Sequence, residues 1–131
     1  MILVDTSVWI DYFNGSDSLE TDILDDALSN NDVAIGDLIL LEILQGFRSD
    51  KDYHLAQKRL SSLHQFNLLS TELAISSANN YRMLRKQGVT IRKSADVIIA
   101  TFCIEHRLPL LFSDRDFIPF TQHLTLQSVT N

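Results

Sequence analysis

Residues 1–13 read MILVDTSVWIDYF: an unbroken apolar run, Ile2 to Val4, stops at Asp5, Thr6 and Ser7 before an amphipathic segment begins. An apolar run without alternation marks a strand covered on both faces, as in a parallel sheet. The residue just past the carboxyl end of such a strand stands at the crevice where open α/β sheets bind ligands. Asp5 therefore has two readings. It is a site candidate by position, and it is also a good N-cap for a helix starting near Ser7. Taken alone, the cap is the simpler reading, and the choice turns on how many other carboxylates reach the same rim.

Outward from this stretch, strand-like and helix-like segments alternate. SLETDILDDALSNN (18–31) is amphipathic, VAI (33–35) is strand-like, and a helix runs from Asp37 toward Phe47. KDYHLAQKRLSSLHQ (51–65) reads as a helix and FNLL (66–69) as a short strand. TELAISSANNYRMLRKQ (71–87) reads as a long helix ended by Gly88, SADVIIATFCIEHR (94–107) as a nearly all-apolar helix, and LLF (110–112) as a strand. This alternation predicts an α/β fold, a parallel sheet of four to five strands with helices on both faces. LTLQSV (124–129) is the candidate fifth, edge strand, and no repeat or linker divides the chain.

At 131 residues the chain is one domain long and should bury about 70% of its unfolded surface. One cysteine, Cys103 in VIIATFCI, reads as a small core residue in a reducing compartment. No Lys or Arg precedes Arg48, and Asp37, Glu42 and Asp96 break the apolar runs short of a membrane span. The expectation is an unexported cytoplasmic protein. A net charge of −6 argues against a nucleic-acid partner until its distribution is considered. Residues 1–47 carry ten acids and no Lys or Arg, whereas residues 48–93 carry nine of the eleven bases. Such asymmetry fits either a polyanion-binding face or a solvated basic helix surface.

Glu42, within DLILLEILQGF (37–47), is the only charge between residues 38 and 47. It either snorkels outward or points inward for a purpose, and its leucine neighbours favour the second. Asp96 follows Ser94 at a helix start, where an acid behind a Ser cap is worth about 0.5 kcal/mol and needs no further role. Asp114 and Asp116 follow the apolar PLLF in FSDRDF (112–117), an ordinary Asp-rich turn that again sets acids at a strand's carboxyl end. Each has a plain explanation, but together they bring four elements' carboxylates to one rim. Like charges so close are tolerable when a cation sits among them. Oxygen ligands without Cys or paired His select a hard ion, Mg²⁺ or Mn²⁺, suited to displacement at phosphorus.

MILVDTSVWIDYF, LLEILQG around Glu42, SADVIIA around Asp96 and FSDRDF (112–117), in that order, resemble the PIN-domain ribonucleases, most closely VapC toxins of toxin–antitoxin pairs. The resemblance spans nearly the whole chain. It implies a single PIN-like domain over 1–131 with Asp5, Glu42, Asp96 and Asp114 as catalytic, metal-binding acids. It adds Asp116 as a fifth ligand and Ser7 or Ser113 as an orienting hydroxyl. Where this chain has Ser113, relatives often carry Thr. It further implies Mg²⁺ or Mn²⁺ as cofactor, hydrolysis of RNA to 5′-phosphate and 3′-hydroxyl ends, a homodimer, and a VapB-like antitoxin that blocks the site.

His54, His64, His106 and His123 share no spacing and read as surface or core residues. Trp9, Tyr12 and Phe13 read as core or dimer contacts, with base stacking the minor option. Arg115 is either a phosphate holder or a solvated turn residue. The alternative function is a catalytically silent PIN-like module that binds RNA or a partner. A signalling receiver fits less well, because FSDRDF stands where a late Lys belongs. A DxDxT-type phosphatase shares the α/β frame, but Asp5-Thr6-Ser7 lacks that motif's second aspartate.

Overall fold

The computed structural model describes residues 1–130, so Asn131 of the expected single-domain span lies outside the described residues. Among the described residues four strands form one sheet: β1 (Ile2–Val4), β2 (Val33–Gly36), β3 (His64–Phe66) and β4 (Leu110–Leu111). Their order is β3-β2-β1-β4, every pairing is parallel, and Leu3 lies opposite both Ala34 and Leu110. Leu3, Val4, Ala34, Ile35, Leu110 and Leu111 are all fully buried. Burial on both faces is why these strands read as continuous apolar runs.

The connections decide where the helices go. β1 leads through α1 (Thr6–Phe13) and α2 (Leu19–Ser29) to β2, and β2 leads through α3 (Asp37–Gln45) and α4 (Asp50–Ser61) to β3. Both crossovers step toward the same edge. The return through α5 (Thr71–Lys86) and α6 (Ser94–Glu105) runs back past β2 and β1 to β4. Right-handed crossovers place the first four helices on one face and the last two on the other. The direction reverses between β1 and β4, so the crevice beyond their carboxyl ends is the switch point where such sheets take ligands. Asp5 directly follows β1, and Asp114 stands in the turn after β4.

α6 is buried on nearly every side, with Val97, Ile99, Ala100, Phe102 and Cys103 in the core. That is the environment its sequence demands, since it has no polar stripe to give to water. Asn80 of α5 donates from Nδ2 to Thr101 Oγ1 at 3.0 Å, tying the two helices of that face together. α5 ends where Gly88 takes φ +84°, the left-handed closure that glycine reaches without strain. Gly36, at the end of β2, has no room for a side chain, because a Cβ there would lie 2.5 Å from Leu68 Cδ1.

The third strand is His64–Phe66 and not 66–69. Its register is set by pairing with β2, Ala34 opposite His64 through Gly36 opposite Phe66, and Leu68 then leaves the ladder, its N–H donating to Asp37 Oδ1 at 3.0 Å. α4 accordingly stops at Ser61. LTLQSV adds a single parallel bridge, Leu110 to Ser128, rather than a fifth strand. Ser94 does not cap α6: it is the first helical residue, and Lys93 is the N-cap, with no side-chain cap among the described residues. A 3-10 turn (Arg115–Phe117) running into α7 (Ile118–His123), absent from the sequence reading, buries Phe117 and Phe120.

Candidate metal centre

The Asp-Thr-Ser sequence after β1 folds so that all three side chains are used. The Asp5 amide donates to Leu111 O at 2.9 Å, which fixes the strand end against β4. Asp5 then caps α1, its Oδ2 accepting from the Ser7 amide at 3.3 Å and from Ser7 Oγ at 2.7 Å. Cap and rim positions thus coincide in one residue. Ser113 Oγ donates to Ser7 Oγ at 3.2 Å, so a chain of hydroxyls runs from the end of β4 to the Asp5 carboxylate. Thr6 Oγ1 donates to Glu42 Oε1 at 2.9 Å, holding the acid that arrives from α3.

The remaining acids come from the other side of the crevice. Asp96 lies in the first turn of α6, only 5% exposed, and its Oδ2 has no hydrogen-bond partner among the described residues. Asp114 caps the 3-10 turn, Oδ1 accepting from the Asp116 amide at 2.9 Å. Asp96, Asp114 and Asp116 each present an oxygen within 4.8 Å of the others. Two cations stand over this triad: Arg92 Nη2 lies 3.2 Å from Asp116 Oδ2 and Lys93 Nζ 3.9 Å from Asp114 Oδ2.

The charges are felt mutually. Burial pushes the Asp96 carboxyl up to about 7, with the charges of Asp5, Asp114 and Glu42 adding to the rise and Lys93 opposing it. Asp5 is also raised, chiefly by burial and further by Glu42, while its bonds from Ser7 and the Thr6 amide pull the other way. A buried carboxylate oxygen without a donor is costly, and a cation removes that cost. The donors are oxygens throughout, which fits a hard divalent ion.

The structure therefore sets the quartet and Asp116 around one crevice, with Asp116 inside the tight triad and Asp5 and Glu42 outside it. Ser7 and Ser113 both stand on the Asp5 side. Sequence reasoning missed Thr6 as the partner of Glu42. It also counted Arg92 and Lys93 only as part of a basic region. Their position just ahead of the helix that carries Asp96 was the available signal. The histidines lie elsewhere: the His106 ring stacks on Phe102 at 4.0 Å with Nδ1 2.9 Å from Phe102 O, and His64 is in β3. Trp9 is core, stacked on Phe13 at 5.9 Å, and Phe13 meets Phe47 edge-on at 5.7 Å.

A parallel α/β sheet with carboxylates gathered at its switch point is the architecture of a known class, and the chain belongs to it: residues 2–120 match the PIN domain family. Within that family it is similar to the VapC ribonuclease Mb1587 of Mycobacterium bovis, at 29% identity over 99% of this chain and 98% of the relative. Its fold is similar to that of VapBC2 from Rickettsia felis bound to a DNA fragment from their promoter, with TM-score 0.74 and 19% identity over 98% of this chain and 96% of that one. A toxin-antitoxin complex from Klebsiella pneumoniae gives TM-score 0.69 at 24% identity, covering 89% of this chain and 90% of that one.

Proposed function

We propose that this chain is a Mg²⁺- or Mn²⁺-dependent endoribonuclease toxin of the VapC kind, a single domain over 1–131 that acts in the cytoplasm as a homodimer and is silenced by a VapB-like antitoxin. The observation that carries the reading is Asp96: a buried carboxylate oxygen with no partner among the described residues, packed against Asp114 and Asp116. Asp96, Asp114 and Asp116, with Asp5 and Glu42 behind them, would hold the ion. When bound, the ion would lower the pKa of an attacking water and neutralise charge on a non-bridging phosphate oxygen.

The chain's own side chains do the positioning. Ser7, relayed by Ser113, fixes the rotamer of Asp5, and Thr6 fixes Glu42. Asp96, pushed up to about 7 chiefly by burial, holds a proton more readily than an ordinary carboxylate, and an entering cation would displace it. No two histidines lie where they could serve as acid and base for attack by the neighbouring 2′-hydroxyl, so the expected ends are 5′-phosphate and 3′-hydroxyl. The family membership and the named VapC relative support RNA as the substrate.

Silencing follows from the same charge. A partner arginine can form paired hydrogen bonds with these carboxylates and compete with the ion. Leu41, 57% exposed, stands on α3 beside the partly buried Leu44. With Phe47, they offer an apolar foothold for the partner's tail.

The test is direct. Purified chain should cut single-stranded RNA with Mg²⁺ or Mn²⁺, stop with EDTA, and leave 5′-phosphates by mass spectrometry. RNA bound but uncut in Mn²⁺ would identify a silent binding module, and 2′,3′-cyclic ends would overturn the mechanism. Calorimetric Mn²⁺ affinity should fall when the co-expressed antitoxin is bound, and an unchanged affinity in a tight complex would place inhibition elsewhere.

A further inference from the structure

The chain has eleven Lys and Arg residues. Among the described residues, the two whose side chains form ion pairs are Arg92 and Lys93, and both pair with the acidic triad. They are consecutive, immediately ahead of α6, so one backbone segment delivers two cations and, a turn later, Asp96. Their side chains are 77% and 59% exposed, against 23% and 29% for their partners Asp116 and Asp114. Long stems thus stand in water while the charged tips reach in to carboxylates at the crevice.

Exposed pairs of this kind hold weakly, because water screens the charge and two long side chains must be ordered. A divalent ion seated among the same carboxylates is a stronger partner for them and repels both cations. Displaced tips cannot travel far. They remain at the rim of the crevice, where the phosphate of a strand reaching the ion must lie, and a guanidinium matches two phosphate oxygens at once.

We propose that Arg92 and Lys93 are dual-role residues, counter-ions of Asp116 and Asp114 in the metal-free protein and phosphate-holding, substrate-binding residues once the metal has entered. The inference rests on the metal-dependent ribonuclease reading above and assigns RNA-backbone contacts to it. It gives the charge asymmetry of the sequence a local purpose, since the basic region ends in the two residues that face the acids. Phosphate contacts position a strand without reading its bases. Arg92 and Lys93 therefore contribute affinity and register, and sequence preference lies elsewhere.

The two roles give opposite signs, which a merely structural role would not. Arg92→Gln and Lys93→Gln should each tighten calorimetric Mn²⁺ binding, on the order of two- to fivefold, because a competing cation is gone. Both should raise KM for a labelled single-stranded RNA more than they lower kcat, and make its dependence on salt shallower by about 0.7 per removed contact. Arg92→Lys should keep the wild-type Mn²⁺ affinity and recover part of KM. Weaker or unchanged Mn²⁺ binding in variants with native circular dichroism would overturn the counter-ion role, and unchanged KM and salt slope the phosphate role. A wild-type protein that neither binds Mn²⁺ nor cleaves RNA would overturn the ribonuclease reading itself. Wild-type binding and cleavage with indifferent variants would overturn only this inference.

Discussion

At the amino end of the sheet, Asp32 precedes β2 with its side chain 52% exposed and takes the Met1 ammonium at 2.8 Å. At the carboxyl end, Asp96 is 5% exposed, among four other acids, with one oxygen that has no partner among the described residues. Both are aspartates beside the same sheet, yet the first is at ease in its surroundings and the second is not. A charge left at ease in water marks ordinary surface chemistry. A carboxylate held against burial and against like charges is retained at a cost to stability, and that cost points to a cation as the missing partner.

The contrast breaks most sharply at Asp96 itself. Asp96→Asn should lower RNA cleavage by more than ~100-fold, beyond the range expected for an outer partner of a metal ligand. It should also stabilise the metal-free fold by on the order of 1–2 kcal/mol, the full effect of the pKa rise being discounted because the crevice opens to solvent. Single-turnover cleavage and thermal melts in EDTA read the two effects, and retained activity would remove Asp96 from the centre. Thr6→Val comes next. It deletes the hydroxyl that holds Glu42 and should cost about 10–100-fold in metal affinity or activity, with the fold intact.

Between the unfolded value of 3.8 and a folded value of about 7, native Asp96 keeps a proton that the unfolded chain has released. The unfolded state binds fewer protons there, so metal-free stability falls as pH rises through this window and is flat below it. Asp5, raised in the same sense, adds to the slope. Urea melts in EDTA should show the decline in the wild type and a shallower one in Asp96→Asn. The smallest effect belongs to the amino end: Asp32→Asn should change stability by less than about 1 kcal/mol and leave cleavage unaltered.

Much of this was legible in the chain because the information is local. Burial on both faces wrote β1, β2 and β4 as apolar runs, and the acids that follow β1 and β4 fall beside each other by topology alone. β3 was misplaced because it is an edge strand in which His64 and Gln65 are exposed and only Phe66 is partly buried, and its position is decided by pairing with β2 rather than by its own pattern. Phe66, Leu68 and Leu69 in FNLL (66–69) attract the strand reading, although the Leu68 amide donates to the Asp37 side chain instead of a ladder partner. The pairings of Thr6, Arg92 and Lys93 with the acids are not legible in the sequence for a different reason, even though the place of Arg92 and Lys93 ahead of the Asp96 helix is. Their partners lie 36, 24 and 21 residues away along the chain, and no spacing rule connects them.

The coincidence of cap and crevice at Asp5 bears on how such a chain is maintained over generations. Asparagine caps a helix about as well as aspartate and differs from it by a single atom and a charge. A substitution of Asp5 by Asn would therefore keep the α1 cap and relieve the crowding with Glu42. The architecture offers no resistance to that change and, energetically, invites it. With Asp5 as a ligand in the proposed metal centre, descendants with that change would fold at least as well as their parent, and the carboxylate would persist in a lineage only while the proposed activity was itself under selection.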